Sequence, residues 1–326
     1  MTARPTTMSA PTAPAVLAEV VRSGFTEGCH RGSLVVLAAD GSVEFALGTP
    51  ELPVFPRSSN KPMQATAVLR TGLDLDGELL ALTAASHSAE SFHLDGVRAI
   101  LAGAGLGVDA LQTPPSMPLD EAETEAWIRA GGHPEPILMD CSGKHAAMLA
   151  ACVARGWDTA SYLDLEHPVQ QQVLATLQDL SGETVTAIGT DGCGAPLMAI
   201  SLVGLARAFR TMVLADPGSP ELRVADAMRA HPEYVAGTRR IDTWLMRGVP
   251  GAMSKMGAEA VQAVALPDGR ALAFKIDDGG YRAVGPVLAA TLRRMGVTAT
   301  GDTLDRIGSA PLYGGGRPVG EIRATV

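Results

Sequence analysis

Two side chains that can do chemistry together lie three residues apart, the hydroxyl of Ser58 and the amine of Lys61. If Ser58 opens a helix, this spacing places both side chains on one face. An amine whose pKa is lowered by burial or by a second cation can accept the serine proton and activate the hydroxyl as a nucleophile. The spacing is common, however, and the same two residues also fit a helix-capping serine followed by a solvated lysine.

Two further segments support the catalytic interpretation. The segment Lys255-Met256-Gly257 precedes an alternating apolar run, and the turn Ser86-His87-Ser88 follows a helical run. The penicillin-recognising serine enzymes carry S-x-x-K and K-x-G segments with a serine-bearing turn between them. This order indicates a site with one nucleophilic serine and two amines around it.

A second group of residues is suited to a metal ion. Cys141, in Asp140-Cys141-Ser142-Gly143-Lys144-His145, opens a predicted helix, and Cys193 lies in the turn Asp191-Gly192-Cys193-Gly194-Ala195-Pro196 ahead of another one. The positive end of a helix dipole lowers the pKa of a thiol, which favours thiolate and metal binding. From spacing alone, His145 is the first choice for a third ligand. The alternative is a pair of buried, inert cysteines, since the chain has no C-x-x-C pair.

Asp191 also has two interpretations. It can form an Asx-turn ahead of Gly192, or it can be a carboxylate held at a tight turn to take an ammonium group. The remaining cysteines, Cys29 and Cys152, lie on apolar stretches and are assigned to packing.

Composition and charge exclude several classes of partner. The 326 residues are 46% hydrophobic and include 26 basic against 35 acidic residues, a net charge of −9. This balance argues against nucleic acid or an anionic membrane as partner, and no apolar run is long enough to span a bilayer. Residues 1–14 are rich in Thr, Ala and Pro, which predicts a disordered tail and not a signal peptide. Four cysteines without a secretion signal predict a cytoplasmic protein.

Hydrophobic periodicity predicts strands at both ends of the chain and helices between them. The predicted strands are Val16–Val21, Ser33–Ala38, Val43–Leu47, Val261–Leu266, Ala271–Ile276 and Val319–Ala324. The predicted helices are Ser59–Arg70, Leu94–Leu101, Asp120–Ala130, Ser142–Arg155, Pro168–Leu180, Met198–Phe209, Pro220–Ala230 and Ala283–Arg294. We therefore expect an α+β fold with a single domain over 15–326, in which a sheet from about 15–55 and 250–326 packs against a helical lobe of about 58–240.

Taken together, the chemistry-bearing segments resemble one family. They are Pro56-Arg57-Ser58-x-x-Lys61-Pro62-x-Gln64, Ser86-His87-Ser88, the segments 140–145 and 191–196, and Lys255-x-Gly257-Ala258-Glu259. In this order they are similar to the thermolabile, rhizobial-type asparaginases of class 3, the asparaginase II family. The resemblance runs from about Val16 to the C-terminus and implies a fold related to serine β-lactamases and glutaminases.

The resemblance implies hydrolysis of L-asparagine to L-aspartate and ammonia through an acyl-enzyme on serine. Ser58 would be the nucleophile and Lys61 would take and return its proton, with Ser86 and Lys255 as a second Ser–Lys pair. The residues implied to hold the carboxylate and ammonium ends of asparagine are Arg57, His145 and Asp191.

The resemblance also implies one zinc ion per chain, held by Cys141, Lys144 and Cys193. Lys144 would then replace His145 as the third ligand, and His145 would face the substrate. A homodimer is implied as well.

The sequence departs from the family pattern at three places. Ser59-Asn60 is polar where small or apolar residues are usual, Ala89 stands where glycine often follows the Ser-His turn, and 113–118 is unusually rich in proline. None of these is a catalytic position, so they bear on substrate preference. The alternatives are a related amidase, such as a glutaminase or a β-lactam hydrolase, and a zinc-binding homologue without catalysis. The intact set of two serines and two lysines argues against the last.

Overall fold

The computed structural model describes residues 13–326. Apart from Ala13 and Pro14, the predicted tail 1–14 lies outside the described residues. The strands are β1 (Ala15–Arg22), β2 (Phe25–Leu37), β3 (Val43–Leu47), β4 (Pro53–Val54), β5 (Ile188–Thr190), β6 (Pro196–Met198), β7 (Ile200–Ser201), β8 (Met253–Gly257), β9 (Val261–Ala265), β10 (Ala271–Ile276), β11 (Pro311–Gly314) and β12 (Arg317–Ala324). The α-helices are α1 (Lys61–Arg70), α2 (Gly77–Thr83), α3 (Ser91–Gly103), α4 (Glu121–Arg129), α5 (Ser142–Arg155), α6 (Pro168–Ser181), α7 (Leu202–Val213), α8 (Pro220–Ala230), α9 (Pro232–Ala236), α10 (Ile241–Gly248), α11 (Val284–Arg294) and α12 (Thr303–Gly308). Within residues 13–326, every helix is too short or too polar to cross a membrane.

Strands from the two ends of the described chain form one antiparallel sheet, in the order β11-β12-β1-β2-β10-β9-β8. The long strand β2 joins the two halves, because its first part pairs with β1 and its second part with β10. Strand β3 also pairs with the second part of β2 and occupies the edge that β1 leaves free. The predicted α+β class, with a sheet built from N- and C-terminal strands, is confirmed.

Each face of this sheet carries its own hydrophobic core. Along β2, Val35 and Leu37 belong to the core shared with the helical lobe. Leu34 and Val36 belong to a second core, which α10, α11 and α12 cover on the opposite face. Because successive side chains of a strand point to opposite faces, this part of β2 is buried on both sides. That burial explains its continuous apolar sequence.

Helix α1 lies at the centre of the helical lobe, with α5, α6 and α8 packed around it. Every residue from 61 to 69 is buried. A helix buried on all sides is normally apolar throughout, yet α1 begins with Lys61 and contains Gln64. A buried amine needs polar partners, and these lie at the N-terminal end of α1.

The segment around Cys193 differs from the prediction. In place of a helix over Met198–Phe209, the chain forms the short strands β6 and β7, paired with β5 and β4. Helix α7 begins only after Ser201, whose side chain accepts a hydrogen bond from the Gly204 amide (2.9 Å) and caps the helix. The turn that carries Cys193 therefore leads into a strand, and the expectation that Cys193 lies at a helix N-terminus is wrong.

Strand β8 has no signature in the sequence. All five of its residues are buried, although Ser254 and Lys255 are polar. A strand buried on both faces lacks the alternation of apolar and polar residues that marks a half-exposed one. The K-x-G segment is thus part of a strand, one element earlier than the apolar run that follows it.

Candidate active site

A cavity of about 130 Å³ opens where the helical lobe meets the end of β8. Its wall includes Arg57, Ser58, Ser86, Asp140, Asp191, Arg240, Gly257 and Tyr281. Sites for drug-sized ligands have volumes of roughly 300–1,000 Å³, so this cavity suits a much smaller molecule. Six of the residues predicted from the sequence thus lie on one small cavity: Arg57, Ser58, Ser86, Cys141, Asp191 and Cys193.

Ser58 lies in a tight 3₁₀ turn directly ahead of α1, where its side chain is half-buried. Arg57 in this turn has a φ of 52°, a left-handed conformation that side-chain-bearing residues seldom adopt. Gly257, at the end of β8, packs on the same turn. A Cβ atom at Gly257 would lie 2.5 Å from the Pro56 carbonyl oxygen and 2.9 Å from the Ser59 nitrogen. The glycine of the K-x-G segment therefore allows β8 to approach the turn that presents Ser58.

Ser86 links the two amines of the site. Its Oγ lies 3.0 Å from Lys61 Nζ and 3.0 Å from Lys255 Nζ. Lys61 comes from α1 and Lys255 from β8, so the helical lobe and the sheet meet at this hydroxyl. The backbone holds the hydroxyl in place, because the Ser86 amide donates to the Val235 carbonyl (2.9 Å).

Lys61 is held as a cation. Its Nζ donates to the Ala85 carbonyl (2.6 Å), Ser86 Oγ (3.0 Å) and Asp140 Oδ2 (3.1 Å). An ammonium group has three protons, and these three acceptors use all of them. Burial is the largest effect and would lower the pKa of Lys61, but the Asp140 carboxylate and Cys141 together outweigh it, and the pKa is raised above its ordinary value. Ser58 is not among the three acceptors.

Lys255 is the opposite case. Its hydrogen-bond partners are the Met256 carbonyl (2.7 Å) and Ser86 Oγ, both uncharged. Burial lowers the pKa of Lys255 to about 7, against the opposing effect of Asp242 and with a contribution from the Lys61 cation. A neutral lysine has a lone pair that can accept the Ser86 proton. The lowered pKa expected for one lysine of the pair thus falls on Lys255.

Arg57 and Asp191 form an ion pair in the cavity wall. Arg57 Nε donates to Asp191 Oδ1 at 2.8 Å, and the Gly192 amide donates to the same oxygen at 2.9 Å. This bond comes from the next residue, whereas an Asx-turn uses the amide two residues on, so it does not form the expected Asx-turn. The functional interpretation of Asp191 stays a prediction. Asp191 Oδ2 accepts no hydrogen bond from residues 13–326, which leaves it available to an ammonium group.

Two histidines near the site are buried, and burial lowers the pKa of both. His87 Nδ1 accepts from the Ala89 amide (3.1 Å), so Nε2 carries the proton and donates to Ser142 Oγ (2.8 Å). His145 is fully buried and its Nδ1 lies 2.7 Å from the Tyr162 hydroxyl. His145 is absent from the cavity wall formed by the described residues. His145 instead lies next to Cys193, which does line the cavity, and its substrate-binding role stays a prediction.

Cys141 and Cys193 line the cavity, and Lys144 lies behind them. Both thiols are buried and free of disulfides, and Lys144 Nζ lies 3.1 Å from Cys193 Sγ. The hydrogen bond between the two thiols is the main reason why the pKa of Cys193 is lowered and that of Cys141 is raised. The direction of these shifts favours the thiolate form of Cys193 beside the Lys144 ammonium.

This donor set fits a thiophilic metal such as zinc, which binds thiolate sulfur and nitrogen. Within residues 13–326, no three side chains of the His, Cys, Asp and Glu types form a group suited to a metal. A third protein ligand beside the two thiols must therefore be of another type, and Lys144 is in place for it. Metal binding would require loss of the Lys144 proton.

Three residues of the cavity wall with polar side chains were given no role from the sequence: Asp140, Arg240 and Tyr281. Asp140 directly precedes Cys141, so the sequence places it next to a predicted site residue. The sequence gives no sign of its ion pair with Lys61. Burial is the largest effect and raises the pKa of Asp140, yet the neighbouring basic groups, chiefly Lys61, together outweigh it and hold the value at about 2. Tyr281 donates a hydrogen bond to the Gly257 carbonyl (3.2 Å) from a loop that has no motif of its own.

The arrangement can support a defined chemistry. A serine hydroxyl between a cationic and a neutral amine can pass protons, and a second, half-buried serine on the same cavity can attack a carbonyl carbon. Such a site is suited to acyl transfer from amides or esters of small molecules.

The chain belongs to the L-asparaginase II family, whose family model matches residues 18–324. It is therefore an amidohydrolase, and the predicted family and enzyme class are confirmed. A comparison with curated protein sequences gives no match.

Solved structures similar to this chain include a Bacillus glutaminase, at 12% identity and a TM-score of 0.42, with 82% of this chain and 91% of the glutaminase covered. A β-lactamase from Mycobacterium bovis is similar at 14% identity and a TM-score of 0.43, with 81% of this chain and 94% of the β-lactamase covered. At such low identities and TM-scores, nothing about the site of this chain follows from either protein.

Proposed function

We propose that this amidohydrolase is an L-asparaginase, which converts L-asparagine to L-aspartate and ammonia through an acyl-enzyme on serine. The observation that supports this proposal most directly is the Ser86 hydroxyl, which lies 3.0 Å from each of two buried amines on a cavity that also presents Ser58. Carboxylate and guanidinium groups in the same wall match the ammonium and carboxylate ends of an amino acid.

Ser58 is the proposed nucleophile. Its Oγ attacks the side-chain amide carbon of asparagine, while its proton passes to the Ser86 hydroxyl and the Ser86 proton passes to the neutral Lys255 amine. When the tetrahedral intermediate collapses, the C–N bond breaks and a proton returns from Lys255 through Ser86 to the leaving nitrogen. Water then cleaves the Ser58 ester by the same proton route and releases aspartate.

Lys61 has a different role in this proposal from the proton acceptor that the S-x-x-K spacing predicts. As a cation paired with Asp140, it donates to Ser86 Oγ and stabilises negative charge that develops on this oxygen during the relay. Ser58 and Lys61 still belong to the same site, but in this proposal Lys255 is the base and accepts the proton.

We also propose one zinc ion per chain, held by Cys141, Lys144 and Cys193. Bound there, zinc would supply a fixed positive charge beside the cavity. Metal content should be about one zinc per chain, and Cys141→Ser and Cys193→Ser should each lose it. Cys29→Ser, at an exposed cysteine, should keep it. Full zinc content in both site variants would show that zinc binds elsewhere.

Asparagine is proposed over glutamine because the cavity is small. The two substrates differ by one methylene, which is worth about 1–3 kcal/mol of discrimination. A homodimer in the cytoplasm is proposed from the resemblance alone, and sedimentation velocity at several concentrations tests the dimer.

The function is tested by ammonia release from purified protein with L-asparagine, L-glutamine and a β-lactam. We expect asparagine to have the highest kcat/KM and Ser58→Ala to abolish turnover. Ser59→Ala is the matched control, since the Ser59 hydroxyl donates to the Pro56 carbonyl (2.7 Å) and has no proposed chemistry. Absence of turnover with every amide would favour the non-catalytic zinc-binding alternative.

The identity of the nucleophile needs a second measurement, because Ser86 has the shorter path to Lys255. Rapid acid quenching during turnover, followed by peptide mapping, locates the acyl group. We expect it on the peptide that contains Ser58. An acyl group on the Ser86 peptide would transfer the role of nucleophile to Ser86 and leave the substrate assignment intact.

A further inference from the structure

Of the four charged side chains in the cavity wall, Arg57, Asp140, Asp191 and Arg240, the first three belong to ion pairs. Asp140 pairs with Lys61 (3.1 Å) and Asp191 with Arg57 (2.8 Å). Arg240 lies in the same wall, and its guanidinium makes no ion pair or hydrogen bond with any residue from 13 to 326. A guanidinium group offers a rigid, two-pronged donor surface that matches a carboxylate.

The neighbouring Arg239 shows the contrast. Arg239 donates to Asp120 (2.8 Å) and Glu123 (2.6 Å), away from the cavity wall. Arg240, in contrast, lies close enough to the reacting groups that its positive charge helps burial to lower the pKa of Lys255. Of these two consecutive arginines, only Arg240 lines the cavity.

Asp242 fixes the segment that carries Arg240 to the sheet. This buried carboxylate accepts hydrogen bonds from Ser254 Oγ (2.7 Å), the Met256 amide (2.9 Å) and Gln262 Nε2 (3.1 Å). Two of these donors flank Lys255 on β8. The start of α10 and the strand that carries the proposed base are thus one hydrogen-bonded unit, and Arg240 is preorganised relative to the reacting groups.

We propose that Arg240 binds the α-carboxylate of the substrate, an assignment that rests on the proposed asparaginase function. Arg57 then has another task, because its Nε holds Asp191 Oδ1 and leaves Oδ2 for the α-ammonium group. The two ends of the zwitterion are bound by separate, oppositely charged groups, and the amide end is directed towards Ser58. The site consequently selects amides that carry an α-carboxylate.

The test compares three amides with the wild-type protein and Arg240→Gln: L-asparagine, succinamate, which lacks the ammonium group, and 3-aminopropanamide, which lacks the carboxylate. Arg240→Gln is expected to raise KM for asparagine and succinamate by roughly 10- to 150-fold, the range for a hydrogen bond to a charged group. We expect kcat to change little, because the contact to the carboxylate is the same before and during the reaction. The constants for 3-aminopropanamide should not change, and Arg240→Lys should restore part of the loss.

Arg239→Gln is the matched control and should keep wild-type constants with all three amides. An equal loss with all three amides in Arg240→Gln would show a general effect on the site and would overturn the assignment. A carboxylate-specific loss in Arg57→Gln, with none in Arg240→Gln, would transfer the role to Arg57.

Binding of L-aspartate, measured by titration calorimetry, needs no turnover and so separates the two proposals. We expect Kd to rise in Arg240→Gln by the same factor as KM. A protein that binds aspartate through Arg240 but hydrolyses no asparagine would contradict the proposed function and keep the carboxylate site. Hydrolysis of asparagine together with unchanged aspartate binding in the variant, or with no aspartate binding by the wild type, would overturn the carboxylate site alone.

Discussion

Ser86 lies between two lysine amines, Lys61 from the helical lobe and Lys255 from the sheet, whose pKa values are shifted in opposite directions. Lys61 and Lys255 are 0% and 1% exposed, and each lies 3.0 Å from the same hydroxyl. Even so, the pKa of Lys61 is raised and that of Lys255 is lowered to about 7. The main difference is the Asp140 carboxylate, which accepts a hydrogen bond from Lys61, whereas Asp242 opposes burial at Lys255 without outweighing it. Burial alone therefore does not set the charge of an amine, and the nearest counter-ion does.

The largest effect is expected when the sheet side is removed. Lys255→Met takes away the proposed base and should lower kcat by about 10⁴ or more. The loss should not come from unfolding. In the wild type, the unfolded chain binds the Lys255 proton between pH 7 and 10.5 and the folded chain does not. Wild-type stability therefore rises with pH in this window.

Lys255→Met lacks this dependence. It should be more stable than the wild type below about pH 7, and the gap should narrow towards pH 10.5. Chemical denaturation at several pH values measures this difference. A fully active variant would contradict the role of Lys255 as base.

The second prediction removes the difference between the two lysines. Asp140→Asn keeps the shape but leaves Lys61 as a buried amine without a counter-ion, so burial should lower its pKa as it does for Lys255. Loss of the fixed cation beside Ser86 should reduce kcat/KM by roughly 10²–10³, as for removal of one donor from a charge-stabilising site. Asp179→Asn, which breaks a surface ion pair with Arg70, is the control. A wild-type rate in Asp140→Asn would contradict the claim that a Lys61 cation held by Asp140 assists the reaction.

The third prediction concerns pH in the wild type. Because Lys255 must be neutral to accept a proton, kcat/KM should rise about tenfold per pH unit below about 7 and level off above it. The profile is measured under conditions in which chemistry limits the rate. A profile that is flat from pH 5 to 8 would rule out Lys255 as the titrating base.

The smallest effect lies on the helical-lobe side, at Ala89 beside the Ser86 turn. Its φ of 61° is left-handed and favours glycine, the residue that the family often has there. Ala89→Gly should raise the free energy of unfolding by about 0.5–1 kcal/mol without changing kcat. Ala126→Gly, at an exposed position inside α4, should instead lower it by about 1 kcal/mol. Denaturant unfolding of both variants gives the comparison, and destabilisation by Ala89→Gly would refute the strain argument.

The sequence predicts the features that short segments encode. Ser58 and Ser86 lie in motifs, and the α+β class follows from apolar periodicity at the two ends of the chain. Contacts between distant segments are not encoded in this way. The charge of Lys61 depends on Asp140, 79 residues away, and spacing alone does not predict which lysine of the pair carries the proton.

Local backbone geometry is a second limit. The segment after Cys193 is apolar and was compatible with a helix, but pairing with β4 and β5 makes it two short strands. Arg239 and Arg240 are equivalent in sequence, and only the path of the chain into α10 turns one outward and the other towards the cavity. Such choices arise from packing between the lobe and the sheet, which periodicity does not report.

Strand β2 pairs with β10, so residues 32–37 bond to residues 271–276 across most of the chain. Contacts of such long sequence separation are slow to form, since the entropy of closing the loop must be overcome first. On a ribosome, Lys61 and Ser86 emerge long before Lys255 is synthesised, so the Ser86 hydroxyl cannot acquire its neutral partner until translation has passed β8. The amidase activity of this protein therefore appears only late in its folding, after the whole helical lobe has been synthesised.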